Sequence, residues 1–437
     1  MKTKILIIAD DLSGAADCAI GFTRAGHRVV VMLDALREQR DPDADTTAID
    51  TDTRRLTPAQ AATRTAAAFR ALGDPTHRLY KKIDSTLRGN WAAEVAALQA
   101  EAGLAIVAPA FPATGRVLRD GRVFVHGTPL EETPTWQLEN AGHDANVAAR
   151  LNEAGLSTEI LDGEALRDDP ARLAVRIAAS AAAGTQALIV DAQSEHALRT
   201  LAQVTLDSEV PLFWVGSGGL ARELSTLTRR PGAESVADAT STRLSGGASG
   251  SPKSADDAYA GMPVLALVGS LSAVSERQCA MLLARTGIEQ LVVPPEVLRR
   301  GASHPEWSAL RAQVGATLSA RADLLVRIGR DDAFDPTEGA QLSTSLAALV
   351  EPHFSRIGGL IVTGGETARA MLSAARIPSL HLQAEIEAGV AVGRPLDPNR
   401  PHRPGIVTKA GAFGTDHALY AAWLTLRNKT EPDVLPY

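Results

Sequence analysis

Short runs of β-branched and aliphatic residues alternate with alanine-rich stretches along most of the chain. In the first half the runs read KILIIAD, HRVVVML, TTAIDTD, RLYKKID, LAIVAPA, STEILD, QALIVDA and PLFWVG. Helices are predicted between several of them, for example Pro58–Leu72 and Trp91–Ala102. In the latter, Trp91, Val95 and Leu98 share one face, Asn90 is placed to cap the start and Gly103 to end it. Such alternation specifies an α/β fold, a mostly parallel sheet flanked by helices. At 437 residues and 45% hydrophobic content the chain is long for one core, so two domains are expected.

The texture breaks between residues 229 and 262, which are rich in Gly, Ser, Ala and Asp and lack apolar periodicity. This reads as a flexible linker, with a long surface loop inside one domain as the alternative. Strands then resume as PVLALVG, QLVVPP, DLLVRIG, GLIVTGG, SLHLQ and GIVTKAG, mostly separated by helices. The expected plan is an N-terminal domain over 1–228, the linker over 229–262 and a second α/β domain over 263–437.

A net charge of −7 gives no basic face for nucleic acid or an anionic membrane, and neither partner is expected. The two cysteines, Cys18 and Cys279, are far apart and form no metal-ligand pattern. The first apolar run stops at Asp10, too soon for a signal-peptide core, and no stretch approaches the ~20 residues needed to cross a bilayer. A cytoplasmic location is expected.

In open α/β sheets, ligands bind beyond the carboxyl ends of strands. After the first strand comes DDLSGAAD, with Asp10, Asp11 and Asp17 around a Ser13-Gly14 pair. Neighbouring strand residues point to opposite sides, so Asp10 and Asp11 are expected to do different jobs, one facing a ligand and one anchoring a loop. Capping of the following helix is the bland alternative. Arg54 and Arg55 follow the third strand. KKIDSTLRG follows the fourth, bringing Lys82, Ile83, Asp84, Ser85 and Arg88 together; Lys82 and Asp84 share a face if the strand persists that far. Arg54 or Arg88 suits a carboxylate, Lys82 one anionic oxygen, and Asp84 and Ser85 hydroxyls. Arg116, after the fifth strand, is a further candidate anion contact. Together these residues describe a site for a small polyhydroxylated anion; a surface salt-bridge network is the alternative.

Three strands of the second half run into glycine-containing turns, LVGSLSAVSERQ, IVTGGETARAML and VTKAGAFGTDHAL. Glycine lets backbone approach phosphate, and N–H groups at a following helix start cradle it. Ser270, Ser272, Gly364, Gly365, Glu366, Thr367, Lys409 and Gly411 are the candidate nucleotide contacts. A P-loop is absent. GSGGLA, from Gly216, fits a dinucleotide fingerprint, but the region that should hold its acidic partner is the linker.

Taken in order, IADDLSGAAD, KKIDSTLRGNWAAE, APAFPATGRVLRDGRVFVHGTPLEET, GSGGLA, VGSLSAVSERQ, VTGGETARAML and KAGAFGTDHAL resemble the four-carbon acid sugar kinase family. The resemblance runs from about residue 4 to about 424, linker excluded. Ser13 stands where many members carry Thr, keeping the hydroxyl. It implies a two-domain ATP-dependent kinase that makes the 4-phosphate of D-threonate, D-erythronate or 3-oxo-tetronate, with D-threonate preferred. Family substrate positions fall on Asp11, Arg54 and Lys82–Ser85; nucleotide positions fall on Ser270, Gly364–Thr367 and Gly411. The expected mechanism has Arg54 and Lys82, with Arg88, holding the carboxylate. Asp11 or Asp84 takes the proton, and Mg²⁺ accompanies ATP with no ligands assigned. A homo-oligomer is compatible with the sequence. The rivals are a nucleotide-dependent hydroxy-acid dehydrogenase and a non-catalytic sugar-acid sensor.

Overall fold

The computed structural model describes residues 3–35, 40–133, 136–137, 140, 144–167, 169–230, 259, 261–331, 333, 335–411 and 413–429. The chain divides into two compact units, Met1–Pro231 and Gly232–Tyr437. The expected linker lies almost wholly outside the described residues. At its start, Arg230 stays on the first unit, donating its N–H to Ala25 O and pairing with Asp45.

The first unit begins β1 (Lys4–Ala9), α1 (Leu12–Arg24), β2 (Val29–Met32), β3 (Thr46–Asp50), α2 (Pro58–Leu72), β4 (His77–Lys82), α3 (Trp91–Ala102) and β5 (Leu104–Ala108). A small antiparallel sheet follows, made of β6 (Arg116–Arg119), β7 (Arg122–Val125) and β8 (Thr128–Pro129). Then come α4 (Val147–Glu153), β9 (Thr158–Leu161), α5 (Pro170–Ala182), β10 (Ala187–Val190), α6 (Glu195–Leu206), β11 (Leu212–Gly216) and α7 (Gly218–Leu227). The main strands run in the order β2-β3-β1-β4-β11-β5-β10-β9, all parallel. The chain leaves β1 towards one edge, through β2 and β3, and then crosses to the other side of β1 with β4. That reversal opens a crevice at the carboxyl ends of β1, β3 and β4.

The second unit contains β12 (Val264–Val268), α8 (Ala273–Arg285), β13 (Glu289–Val293), α9 (Pro295–Arg300), α10 (Trp307–Ser319), β14 (Leu324–Ile328), α11 (Gly339–Val350) and β15 (Gly359–Thr363). It ends with α12 (Gly365–Ala374), β16 (Ser379–Glu387), β17 (Val390–Pro395), β18 (Gly405–Lys409) and α13 (Ala418–Leu426). Its order is β13-β14-β12-β15-β18-β17-β16. The first five are parallel, whereas β17 is antiparallel to both β18 and β16. Asp323 ties the far end of this unit together. Its carboxylate accepts from Val264 N (2.7 Å), Trp423 Nε1 (2.7 Å) and the Arg427 guanidinium.

Two adjacent lysines at the end of β4 divide the first unit's interior from its crevice. Lys81 is fully buried, and its Nζ lies 2.9 Å from Oε2 of the equally buried Glu94 on α3. Glu94 Oε1 accepts from the hydroxyls of Thr53 and Thr65. A buried pair of this kind is not itself strong evidence of stability, but breaking it leaves one charge uncompensated. Glu94→Ala is therefore expected to cost about 3–5 kcal/mol, and replacing Lys81 and Glu94 together by Met and Leu much less. Urea midpoints for the two variants measure the difference.

Candidate functional site

The crevice at β1, β3 and β4 gathers the charged residues singled out above. Asp10 follows β1 and is 3% exposed. Arg54, in the turn after β3, forks onto it, with Nε to Oδ2 at 2.8 Å and Nη2 to Oδ1 at 3.0 Å. The same guanidinium donates from Nη1 to Asp11 Oδ2 at 3.0 Å and stands 3.8 Å from Asp84 Oδ1. Asp11 is also the N-cap of α1, accepting from Gly14 N at 2.8 Å. Ser13 and Gly14 thus lie in the first helical turn. The Lys82 ammonium reaches this turn too; a Cβ placed on Gly14 would sit 3.3 Å from Nζ.

Strand β4 ends at Lys82, so Asp84 does not share a strand face with it. Asp84 instead closes its own loop, accepting from Thr86 N (2.9 Å) and Oγ1 and from Arg88 Nε (3.0 Å) and Nη2 (2.7 Å). Ile83 and Ser85 flank it, both buried, with Ile83 N donating to Gly216 O at 2.9 Å. Asn90 begins α3 without a side-chain cap bond; its amide spans Thr53 O and Leu56 O, clamping the Arg54 turn to α3.

Burial alone would raise both deeply placed carboxyls. At Asp84, Arg88 and then Arg54 outweigh it and hold the carboxyl well below the usual range. At Asp10, Arg54 overcomes the same penalty and keeps the group below its ordinary value, with help from Lys81 and Lys82. Arg54 in turn overcomes burial through Asp10, Asp11 and Asp84 and is held well above its normal value. The crevice is a balanced cluster of fixed charges that presents hydrogen-bonding oxygens and cationic donors together. Such a lining suits a small molecule carrying hydroxyls and an acid group.

In the second unit the carboxyl ends of β12, β15 and β18 bring the glycine turns together. Ser272 caps α8, accepting from Ser275 N at 3.1 Å, while Ser272 and Ser275 hydroxyls donate to Gly411 O at 3.1 and 2.8 Å. A Cβ on Gly411 would collide with the Ser270 side chain, so the serine side chains of one loop pack directly on the glycine backbone of the other. Gly364 starts α12 at φ +91° with no side-chain cap, and its N–H meets Lys409 O at 2.9 Å. Gly365, Glu366 and Thr367 form the first turn beyond it. Thr367 Oγ1 lies 2.9 Å from Ser343 Oγ. Lys409 is 1% exposed and donates to Gly411 O at 3.2 Å. Paired loops, an uncapped helix start and a buried lysine make a cradle of the kind that holds phosphate.

The residues that sequence reading missed are Thr53, Lys81 and Glu94. Glu94 lies three residues after Trp91 on the apolar face of α3, and a charge there calls for a buried partner.

The first unit's crevice suits a small acid bearing hydroxyls and the second unit's glycine turns suit phosphate, a pairing expected of a two-domain kinase of a small sugar acid. The family models agree: the sugar-binding N-terminal domain matches residues 5–224 and the nucleotide-binding C-terminal domain residues 265–419. A D-threonate kinase of Cupriavidus necator is 50% identical over 429 residues, 98% of this chain and 99% of that protein. The D-threonate kinase of Salmonella typhimurium is 30% identical over 95% of this chain and 96% of its own. A solved structure from Salmonella typhimurium LT2, provisionally described as a tRNA synthase, has a TM-score of 0.75 and 22% identity over 96% of this chain and 98% of its own. At that identity the likeness shows the fold alone. The chain belongs to the four-carbon acid sugar kinase family.

A phosphate contact by Lys409 would carry a pH signature. Burial pulls its ammonium down to about 8, against smaller opposing effects of Cys279 and Glu387. Above that pH the free enzyme's Lys409 loses its charge, so nucleotide affinity is expected to weaken by up to about tenfold per pH unit. Lys409→Arg, charged throughout, should flatten the profile. Titration of nucleotide binding between pH 7 and 10 measures both.

Proposed function

We propose that the protein is an ATP-dependent kinase that phosphorylates the terminal hydroxyl of D-threonate, giving 4-phospho-D-threonate. Identity of 50% across nearly the whole of both chains to a D-threonate kinase carries this reading. Relatives named as 3-oxo-tetronate and D-erythronate kinases stand at 30% and 25%.

The acid lies in the first unit's crevice, against Asp10, Asp11, Arg54, Lys82, Ile83, Asp84, Ser85 and Arg88. Three acids share Arg54, which therefore acts first as the scaffold that aligns them and second through its remaining donors. Lys82 supplies charge beside the helix start. Asp84 is engaged by four donors and held strongly acidic, which makes it a weak proton acceptor. Asp11 has fewer commitments and is the base that orients the terminal hydroxyl and takes its proton. ATP occupies the cradle of Ser270, Ser272, Gly364–Thr367, Lys409 and Gly411.

Among the described residues no three His, Cys, Asp or Glu side chains are grouped to hold a metal ion. Mg²⁺ would arrive with the nucleotide and be held largely through water, as this ion prefers. Its chemistry there is charge neutralisation on phosphate oxygens. Phosphoryl transfer depends on positioning and charge stabilisation more than on covalent chemistry, so the chain's task is to hold the acceptor hydroxyl in line. Among the described residues, no helix is long and apolar enough to cross a membrane.

ADP release measured over a panel of four-carbon acids, with and without Mg²⁺, tests the reading. D-Threonate is expected to give the highest kcat/KM, and absence of Mg²⁺-dependent turnover with any of them would overturn it. Asp11→Asn is expected to lower kcat by roughly 10²–10⁴. Asp84→Asn should act mainly on KM for the acid. A near-normal kcat in Asp11→Asn would remove it as the base.

A further inference from the structure

The charges of the crevice are not equally committed. Arg54 is shared by three carboxylates and Arg88 forks onto Asp84. Arg116 differs. Among the described residues its side chain makes one hydrogen bond, a long 3.5 Å contact from Nη1 to Thr114 O, and its buried Nε has no partner. A buried guanidinium donor without an acceptor is costly; Arg78, Arg150 and Arg327 each keep one such nitrogen too, but the charges acting on Arg116 are those of the crevice, where a ligand can supply the acceptor.

The backbone holds Arg116 in place. Phe111 and Arg116 form a bridge in which Phe111 N donates to Arg116 O at 2.8 Å and Arg116 N to Phe111 O at 3.1 Å. Between them runs a single 3₁₀ turn, Pro112–Thr114, closed by Gly115 at φ +71°. Arg116 then opens β6, whose partner β7 is joined through Asp120-Gly121, both at positive φ, the turn that matches hairpin twist. A side chain mounted on such a bridge is pre-positioned, so little ordering entropy is lost when it binds. The charges acting on Arg116 are Asp84, Arg88 and Asp17, which sets it beside the acid-binding crevice rather than on an unrelated surface. Burial lowers its affinity for protons somewhat, in keeping with a cation that lacks a fixed counter-ion.

We propose that Arg116 receives the carboxylate of the sugar acid as a two-pronged hydrogen-bonding partner, and that it is the residue by which this protein distinguishes an acid from a neutral polyol. The assignment rests on the kinase reading above and moves the carboxylate grip away from Arg54. A guanidinium fork matches a carboxylate's two oxygens, which a lysine's point charge does not.

The test compares D-threonate with threitol, which keeps a terminal hydroxyl but lacks the acid group. Wild-type enzyme is expected to favour D-threonate by roughly 10² or more in kcat/KM, the value of a charged two-pronged hydrogen bond. Arg116→Ala should lose about that factor with D-threonate and little with threitol, so that the preference collapses while nucleotide affinity is unchanged. Arg116→Lys should recover part of it. Arg116→Gln, which keeps more of the side chain's bulk, decides the matter if the alanine variant does not fold. Arg119→Ala, removing a guanidinium that stacks on Phe124 at 4.3 Å, should keep the wild-type preference and so controls for disturbance of the hairpin. A preference that survives in Arg116→Ala, or equal losses with both substrates, overturns the assignment. Failure of the wild-type enzyme with every four-carbon acid would instead remove the kinase reading, and this inference with it.

Discussion

Three carboxylates cannot stand together at the mouth of a buried strand unless a cation binds them, and Arg54 does so for Asp10, Asp11 and Asp84. Each acid belongs to a different job: the end of β1, the cap of α1 and the loop after β4. One planar fork therefore fixes three pieces of backbone relative to one another. A lysine has the charge but not the directions, because its donors radiate from one point. The turn that carries Arg54 is itself fastened from behind, by Asn90 to two of its carbonyls and by Thr53 to Glu94. The crevice thus depends on one guanidinium, and that guanidinium depends on the buried Lys81–Glu94 pair.

The two units offer an anion different physics. In the first, long charged side chains are held in ion pairs, so recognition is directional and depends on the ligand's own hydroxyls. In the second, most contacts come from backbone and short hydroxyls, with Lys409 as the buried charge. Backbone N–H groups cost no side-chain ordering on binding, which suits a phosphate chain common to many nucleotides. The directional donors and acceptors are accordingly concentrated in the first unit.

Much of this was legible in the sequence because strand ends are easy to find and carboxyl ends collect ligands. Strand parity did not separate Asp10 from Asp11: β1 stops at Ala9, and both carboxylates turn to the same Arg54 guanidinium, Asp11 also capping α1. Register-based reasoning carried β4 two residues too far, since it stops at Lys82 and Asp84 turns back to its own loop. Asn90 sits at the start of α3 as expected but spends its amide on the neighbouring turn. Three features were hidden for local reasons. The stretch Val390–Pro395 carries Gly393 and ends in a proline, which dilutes its strand character, and nothing in it declares that the chain reverses direction there. The β6–β7 hairpin had a clear signal in Asp120-Gly121, but it lay inside a segment read for its glycines and arginines. Glu94 was concealed by a helix pattern that accounted for Trp91, Val95 and Leu98 without it.

The reversed strand β17 has a result beyond topology. Strand β16 ends at Glu387, whose carboxylate accepts from the N–H and hydroxyl of Thr415, in the segment that follows β18. Gln278 on α8 fastens the same segment through Phe413 O and Thr415 O. The tip joining β16 to β17 looks like ordinary surface, where insertions are usually harmless. Here its length sets where Glu387 stands, so a residue gained or lost at the tip shifts the loop beside Gly411. Chain length at this hairpin thus sets, from a distance, the position of the glycine turn after β18.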